Sequence, residues 1–311
     1  MRKTNSKIRV IALALSLVCL AGTFSLPSFA HDIEPNDLAA MDSSLDPNGR
    51  IHRYLKGIAN KNIWSYDRLN VTIGQSTLSV KGFVADGVIY IPARSAASAI
   101  SGSTYSYDSS TRTSILRAPG LEMVMGDGCY VTYANDRALF NTTPSVIMSD
   151  GRLYIPATVF AKAVGMKLSV TDSVKFSGSY SPIISGAKFY RDDEVFWLAR
   201  IIHAESRGEA LLGQIAVGNV VLNRVKSAYY PNTIYGVIFD RKYGVQFSPI
   251  LDGTIYNTPG YTATLAAKIC LEGYDVSQGA FFFLNTALAT SSWIPKNRVY
   301  AFTIGNHDFY Y

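Results

Sequence analysis

The sequence places one carboxylate where a helix is expected to end. Glu205 closes the apolar segment 199–204, and Ser206 and Gly208 interrupt it before a second apolar segment begins. An anion at a helix C-terminus opposes the helix dipole, and apolar neighbours disfavour its ionised form. Both effects raise a carboxyl pKa, as a general acid requires. The pattern predicts Glu205 as a catalytic acid for sugar chemistry; a solvated structural glutamate is the alternative.

A second acid, Glu209, follows four residues later. On one continuous helix the two acids would share a face, but Gly208 argues against continuity. The pair is therefore either two catalytic carboxylates or one catalytic acid with a structural acid that starts the next helix, and the second interpretation is favoured. Glycosidases usually need two carboxylates at a defined separation. A lytic transglycosylase can work with one, because a hydroxyl of the substrate replaces water.

Amide and aromatic side chains interrupt the segments that follow. Such groups hydrogen-bond to sugars and stack on them, although they are also ordinary residues of helices, loops and cores. The predicted substrate-binding residues are Glu209, Gln214, Asn223, Gln246, Phe247 and Asn285.

Three helices are expected to position these residues. Three acids at 192–194 favour a helix N-terminus, because the helix dipole is positive there. The apolar spacing predicts helices over residues 195–204, 210–226 and 261–272, and β-like segments between 278 and 311.

A metal centre is the competing chemistry, and the sequence disfavours it. His203 and Glu205 are two residues apart, so they lie on different faces of a helix, and no H-E-x-x-H motif occurs. Cys270 lies inside a helical segment, where a buried core residue is expected rather than a nucleophile. We therefore predict no metal and no cofactor. The four histidines are His31, His52, His203 and His307.

An internal repeat precedes this region. The segment DGVIYIPA at 86–93 recurs as DGRLYIPA at 150–157, an offset of 64 residues. Each copy predicts a turn, a short strand and a helix that begins at proline and ends at a glycine, Gly102 or Gly165. Alternating β-type sequence follows each helix. Two stacked copies predict one small duplicated α+β domain.

The first thirty residues have the pattern of a secretory signal peptide. A basic start, an apolar core at 10–20 and a small-x-small site at 28–30 follow in order; an uncleaved anchor is the alternative. The predicted organisation is a signal peptide (1–30), a polar lead (31–65), the duplicated domain (66–180), a linker (181–190) and a catalytic domain (191–311).

Composition excludes several classes of function. Four of the charges behind the formal +6 lie in the signal peptide, so the exported chain is near +2. No cluster of basic and aromatic residues indicates nucleic-acid binding. Cys129 and Cys270 lie in different predicted domains, which disfavours a disulfide. With 48% hydrophobic and 17% charged residues, the chain has a globular composition.

Residues 193–311 resemble the SleB/CwlJ-type family of spore cortex-lytic cell-wall hydrolases. The resemblance implies a lysozyme-like α+β fold, cleavage of peptidoglycan glycan strands, and Glu205 as the catalytic glutamate of the E-x-R-G-E segment. The matching segments are AESRGE (204–209), GQIAV (213–217), VLNRV (221–225), YPNTI (230–234), QF (246–247), GAFFFLN (279–285) and IGNHDFY (304–310).

The duplicated domain resembles the stalk-type N-terminal domain of copper amine oxidases and of many secreted Gram-positive wall proteins. In that family the stalk does not carry the copper, and no histidine cluster for copper occurs here. SleB itself usually has a peptidoglycan-binding repeat domain at this place. The difference leaves open whether the substrate is spore cortex or ordinary wall.

These observations predict an exported lytic transglycosylase that acts on spore cortex or cell-wall glycan strands, in germination or sporulation. It is expected in the wall or spore cortex and coat of a Gram-positive-type bacterium, without stable membrane insertion after signal cleavage. Its expected partner is peptidoglycan, with a regulatory spore or wall protein left unidentified, and no nucleic acid. One alternative is an N-acetylmuramoyl-L-alanine amidase, disfavoured because most such enzymes use zinc. The other is a non-catalytic protein that binds wall or spore coat.

Overall fold

The computed structural model describes residues 68–311 except 86, 148–149, 243 and 290–291. These residues form two compact units that meet in the chain between Gly186 and Ala187. Helices and strands occur in both units, which confirms the predicted α+β class. The predicted signal peptide and polar lead lie outside the described residues. No helix in the described part of the chain is long and apolar enough to cross a membrane.

The first unit is rich in strands, and two short helices accompany them. The helices are α1 (Ala93–Ser98) and α2 (Ala157–Val164). The strands are β1 (Arg68–Ile73), β2 (Ser76–Thr77), β3 (Gly82–Ala85), β4 (Val88–Pro92), β5 (Thr104–Asp108), β6 (Thr113–Ala118), β7 (Leu121–Gly126), β8 (Val131–Ala134), β9 (Arg137–Phe140), β10 (Val146–Ile147), β11 (Leu153–Pro156), β12 (Lys167–Val170) and β13 (Ser173–Ser177).

Two sheets organise these strands. One follows the order β10-β11-β4-β3-β1-β13-β12, with β2 added on β1, and its β1–β13 pair is parallel. The other is an antiparallel meander from β5 to β9, which lies between the two repeat copies in sequence. Apolar side chains from both sheets and both helices share one core, which includes Leu116, Met123, Ile155 and Phe176.

The two repeat copies, which the sequence predicts to stack, meet through one pair of strands. Strands β4 and β11 run antiparallel, and Ile91 lies opposite its repeat equivalent Ile155. The predicted glycine stop is right for α2, because Gly165 adopts a left-handed conformation with φ 66°. It is wrong for α1, which ends at Ser98 before Gly102, because the chain tightens into a final turn with Ala99 still right-handed.

The second unit packs helices against a small sheet. The three long helices lie close to their predicted positions. The helices are α3 (Gly186–Phe189), α4 (Asp192–Ser206), α5 (Leu211–Lys226), α6 (Ile234–Ile238), α7 (Pro249–Asp252), α8 (Tyr261–Leu271) and α9 (Trp293–Asn297), with a 3₁₀ turn at Thr254–Tyr256. The strands β14 (Phe282–Asn285), β15 (Tyr300–Ile304) and β16 (His307–Tyr310) form a sheet in the order β14-β16-β15.

Helix α5 is buried nearly all round, because α4, α8 and the sheet pack against it. Gly218 permits the closest approach: a Cβ there would lie 2.8 Å from both Ile202 of α4 and Cys270 of α8. Cys270 is buried, as predicted, and neither Cys129 nor Cys270 forms a disulfide bond. The packing fixes α4, which carries Glu205 in its last turn, against α5.

The predicted linker at 181–190 contains backbone hydrogen bonds and the start of a short helix. The amides of Ser181 and Ile183 donate to carbonyls at the end of α2, and α3 begins at Gly186.

Candidate active site

Glu205 lies in the last turn of α4, where the sequence predicts it. Its side chain is partly buried, and this burial raises the pKa of the carboxyl to about 7. The neighbouring Asp252 carboxylate adds to the rise in pKa, and the Arg224 guanidinium opposes it. The predicted rise is thus confirmed, with burial as its main cause. At neutral pH such a group can both donate and accept a proton.

Arg224 is the cation whose charge lowers the pKa of Glu205. Burial lowers the pKa of its guanidinium, and the Nε–H donates to the Phe281 carbonyl oxygen at 2.8 Å. The guanidinium carbon lies 5.1–5.3 Å from the ring centres of Tyr230, Phe247 and Phe282. Aromatic faces stabilise a cation that has lost water. The arrangement holds a positive charge inside the unit, where it can stabilise the ionised form of Glu205.

The Nη1 atom of Arg224 is buried and has no hydrogen-bond partner among the described residues. Sequence reasoning did not single out this residue as functional. The available signal was a strong cation at the end of an otherwise apolar helical segment, next to Asn223. Its partners come from three separate loops and strands, so its environment was not readable from spacing.

Asp252 is the last residue of the short helix α7, and its negative charge raises the pKa of Glu205. The amide and the hydroxyl of Thr254 donate to its Oδ1 at 2.9 and 2.6 Å. These hydrogen bonds lower the pKa of Asp252, so its carboxylate is ionised at neutral pH. Sequence reasoning also missed this residue.

Two contacts hold the segment that follows Asp252 against α4. Arg200 donates through Nη1 to the carbonyl oxygens of Tyr256 and Asn257, both at 2.5 Å. The Gly260 amide donates to Nδ1 of His203 at 3.3 Å. His203 therefore positions a loop. Within the described residues, no cluster of three or more potential metal-binding side chains occurs.

Glu209 has partners inside the unit where the sequence predicted substrate contacts. Its side chain is 7% exposed. The amide and the side-chain Nδ2 of Asn306 donate to its two carboxylate oxygens at 3.1 and 2.9 Å, and Nδ1 of His307 lies 3.6 Å away. The carboxylate thus ties the start of α5 to the β15–β16 turn, which agrees with the structural interpretation of Glu209.

Gln214, Asn223 and Phe247, which the sequence predicts as substrate contacts, are also buried. Gln214 donates to the Glu209 carbonyl at 2.9 Å, and Asn223 donates to Ser277 Oγ at 2.8 Å. Phe247 packs against the Arg224 guanidinium. These contacts lie within the protein and favour a positioning role for all three residues. The Gln214 Oε1 atom is buried and has no hydrogen-bond partner in the part of the chain that the structure describes.

Gln246 and Asn285 are partly exposed. Gln246 donates to the Gly244 carbonyl at 3.0 Å, and the Asn285 side-chain oxygen accepts from the Ala287 amide at 3.1 Å. These local bonds orient the two amides, and both remain predicted substrate contacts. The second unit also exposes aromatic side chains that suit sugar rings. They include Tyr229, Tyr235, Tyr256, Trp293 and Tyr300.

Comparison with known proteins identifies both units. Residues 208–310 match the cell wall hydrolase family, and residues 71–175 match the copper amine oxidase N-terminal domain. In sequence order, the chain therefore carries a domain of the copper amine oxidase N-terminal type followed by a cell wall hydrolase domain. Both predicted resemblances are confirmed. The first match begins at Gly208, three residues after Glu205, so it does not include Glu205.

The curated relatives are spore cortex-lytic enzymes. One from Bacillus cereus is 35% identical over 165 residues, which are 51% of this chain and 62% of that protein. One from Halalkalibacterium halodurans is 40% identical over 120 residues, which are 39% of this chain and 35% of that protein. The chain thus spans less than two thirds of the length of these relatives.

A solved structure also matches the second unit. It is the catalytic domain of the germination-specific lytic transglycosylase SleB from Bacillus anthracis. That domain is 41% identical, and the match covers 39% of this chain and 97% of the domain, with a TM-score of 0.36.

Proposed function

We propose that this protein is a lytic transglycosylase that cleaves the glycan strands of spore cortex or cell-wall peptidoglycan, with Glu205 as its single catalytic acid. The observation that carries the proposal is a partly buried carboxyl whose pKa is about 7, at the end of the helix that precedes the segment matching the cell wall hydrolase family. The names of the curated relatives support the substrate class.

In the proposed reaction, protonated Glu205 gives its proton to the glycosidic oxygen that leaves N-acetylmuramic acid. The bond from that oxygen to the anomeric carbon breaks, and positive charge develops on the sugar ring. The Glu205 carboxylate then removes the proton of the 6-hydroxyl, whose oxygen bonds to the anomeric carbon and closes a 1,6-anhydro ring. Glu205 ends protonated, so no water and no second acid is consumed.

Two neighbours adapt Glu205 to its two roles. Asp252 favours the protonated form that the first step needs, and Arg224 stabilises the carboxylate that the first step produces. Gln246 and Asn285 are proposed to orient the sugar. Glu209, Gln214, Asn223 and Phe247 are proposed to hold the elements that carry these groups. We further propose that the protein acts outside the cell, in the wall or the spore cortex.

The test is mass spectrometry of soluble fragments released from purified cortex peptidoglycan. Wild-type protein is expected to release anhydro-muropeptides, and Glu205→Gln to release at least about a thousandfold less while keeping its circular dichroism spectrum, because it cannot donate a proton. Glu194→Gln, in the first turn of the same helix, is the matched control with normal activity. Activity in a folded Glu205→Gln protein would refute the assignment.

The fragment ends decide the reaction type. Reducing muramic ends would show hydrolysis, and Asp252 would become the next residue to test as a water-activating base. Release of free peptides without glycan cleavage would show an amidase.

A further inference from the structure

Two adjoining cavities lie in the first unit, and no residue of the proposed reaction lines them. One has a volume of about 660 Å³ and lies between the start of β1, the β2–β3 loop and the start of β11. The other, of about 100 Å³, lies beside the start of α1. Arg152 lines both cavities, so they form one surface, which we call the basic cleft.

Positive charge dominates the basic cleft. Its cations are Arg68, Lys81, Arg94 and Arg152, all on exposed residues. Among the described residues that line it, Asp150 is the single acid, so four cations face one carboxylate. Concentrating like charges in a concave surface is unfavourable unless an anion binds there.

Asp150 does not neutralise the basic cleft, because its carboxylate is already engaged. The amide of Arg152 donates to Oδ1 at 3.1 Å, and its Nη1 donates to Oδ2 at 2.8 Å. The Tyr154 hydroxyl donates to the same Oδ2 at 3.1 Å. Asp150 therefore compensates Arg152 and holds it in place, while Lys81 and Arg94 keep the surface positive.

The repeat shows that the fold itself does not require these cations. With an offset of 64 residues, Arg152 is equivalent to Val88 and Arg94 to Thr158. The β4–β11 register places Arg94 and Arg152 at one end of the strand pair and their uncharged equivalents at the other. The same strand and helix thus form whether these positions carry arginine or an uncharged residue. Arg94 and Arg152, one from each copy, lie at the same end of the β4–β11 pair.

Aromatic side chains accompany the charges. Tyr105 and Tyr107 line the smaller cavity, and Tyr107 is 42% exposed. The Arg94 guanidinium carbon lies 4.6 Å from the Tyr105 ring centre, which orients the cation toward the cleft. Aromatic faces beside cations suit a polymer that carries both sugar rings and anions.

We propose that the basic cleft binds peptidoglycan, through the carboxylates of its stem peptides, and so holds the enzyme on its substrate. The choice of peptidoglycan rests on the function proposed above, because the second unit is proposed to cut the same polymer. The juxtaposition of Lys81, Arg94 and Arg152 beside exposed tyrosine supplies the chemistry for carboxylate and sugar.

The test is co-sedimentation of the exported chain with purified sacculi stripped of teichoic acid, in a Glu205→Gln background so that cleavage does not disturb binding. Lys81→Glu combined with Arg94→Glu is expected to raise the apparent Kd about tenfold at low salt, with a smaller effect at high salt. Lys81→Gln with Arg94→Gln should give an intermediate loss. The matched control reverses the charges of Lys167 and Lys175, two exposed cations of the β12–β13 hairpin. We expect no change in its Kd.

The proposal would be overturned if both charge-reversed proteins lost the same amount of binding affinity. It would also be overturned if binding were unchanged after the stem-peptide carboxylates are amidated. Binding that disappears only when teichoic acid is stripped would assign the cleft to phosphate instead and refute the peptidoglycan proposal. The catalytic proposal fails separately: wild-type protein would bind sacculi with the expected charge dependence but release no glycan fragments.

Discussion

Glu205 combines the raised pKa that its proposed catalytic role needs with a cost in stability. Its folded pKa of about 7 lies above the ordinary value of 4.5, so the folded protein holds this proton more tightly than the unfolded chain does. Ionised Glu205 therefore destabilises the fold. The destabilisation is absent below pH 4.5, grows between pH 4.5 and 7, and is complete above pH 7.

Glu205→Gln is therefore expected to stabilise the protein at pH 8 by about 2 kcal/mol, a figure already reduced for the partial exposure of the side chain. At pH 4 the stabilisation should vanish, because wild-type Glu205 is then protonated in both states. Urea unfolding at the two pH values measures the difference. An equal effect at both pH values would show that packing, rather than ionisation, separates the two side chains.

The charges around Glu205 predict how activity depends on pH. A general acid must be protonated, so kcat/KM should fall as the pH rises through about 7. Asp252→Asn removes a group that raises this pKa and should move the fall to lower pH. Arg224→Met removes a group that lowers it and should move the fall to higher pH.

A pH–rate profile on soluble glycan strands measures both shifts. Thr254→Val is the control for Asp252→Asn, because it removes a hydrogen bond to Asp252 but keeps the charge. Shifts of the same sign in the two charge variants would contradict the electrostatic account.

At the scale of elements, the β15–β16 turn and the start of α5 are joined through one carboxylate. Gly305 has φ 58° and lies in direct contact with Glu209, so a Cβ at this position would collide with the carboxylate. The side chain would displace Glu209 from its two hydrogen bonds to Asn306. The junction therefore depends on glycine for both conformation and space.

Gly305→Ala is expected to destabilise the protein by about 3 kcal/mol, from backbone strain and the loss of bonds to a buried charge. Gly273→Ala is the matched control: Gly273 has φ 88° but open space around it, so strain alone should cost about 1 kcal/mol. Thermal or urea unfolding compares them. An equal loss of unfolding free energy in the two variants would mean that the contact between Gly305 and Glu209 contributes nothing to stability.

The elements themselves were predictable, but their contacts were not. Apolar spacing located α4, α5 and α8 within a few residues, because each buries a periodic face. The raised pKa of Glu205 followed from its neighbours in sequence. Arg224 and Asp252 act on Glu205 from other elements, 19 and 47 positions away in numbering, and no local pattern carries that information.

The same limit explains the buried amides. A polar residue in an apolar helix is consistent with a ligand contact or with an internal partner. Asn223 has internal partners, Ser277 and the Ala280 carbonyl, more than fifty residues away. Gln246 and Asn285 lie on loops or strand ends, where exposure is the normal outcome.

At the scale of the whole molecule, the repeat predicted that its two copies stack and that β-type sequence follows each helix, but not the meander in which β5 continues through β6–β9. Each unit has its own core. In the second unit, α5 packs through Ala216, Val217 and Val220 against Phe309 of the sheet. A core of this kind in a segment of ordinary domain size predicts independent folding.

A fragment of residues 187–311 is therefore expected to fold and to cleave short soluble glycan strands with a kcat within about twofold of the exported chain, because Glu205, Arg224 and Asp252 all lie within it. On intact sacculi the fragment should cleave more slowly than the exported chain, because it lacks the basic cleft. Its rate should fall by about the same factor as the rate of a chain with the charges of the basic cleft reversed. Turbidity loss of sacculi and fragment release from soluble strands, measured side by side, separate the two effects. A fragment as fast as the exported chain on sacculi would remove the first unit from substrate binding, whereas a folded fragment inactive on both substrates would place part of the catalytic machinery outside residues 187–311.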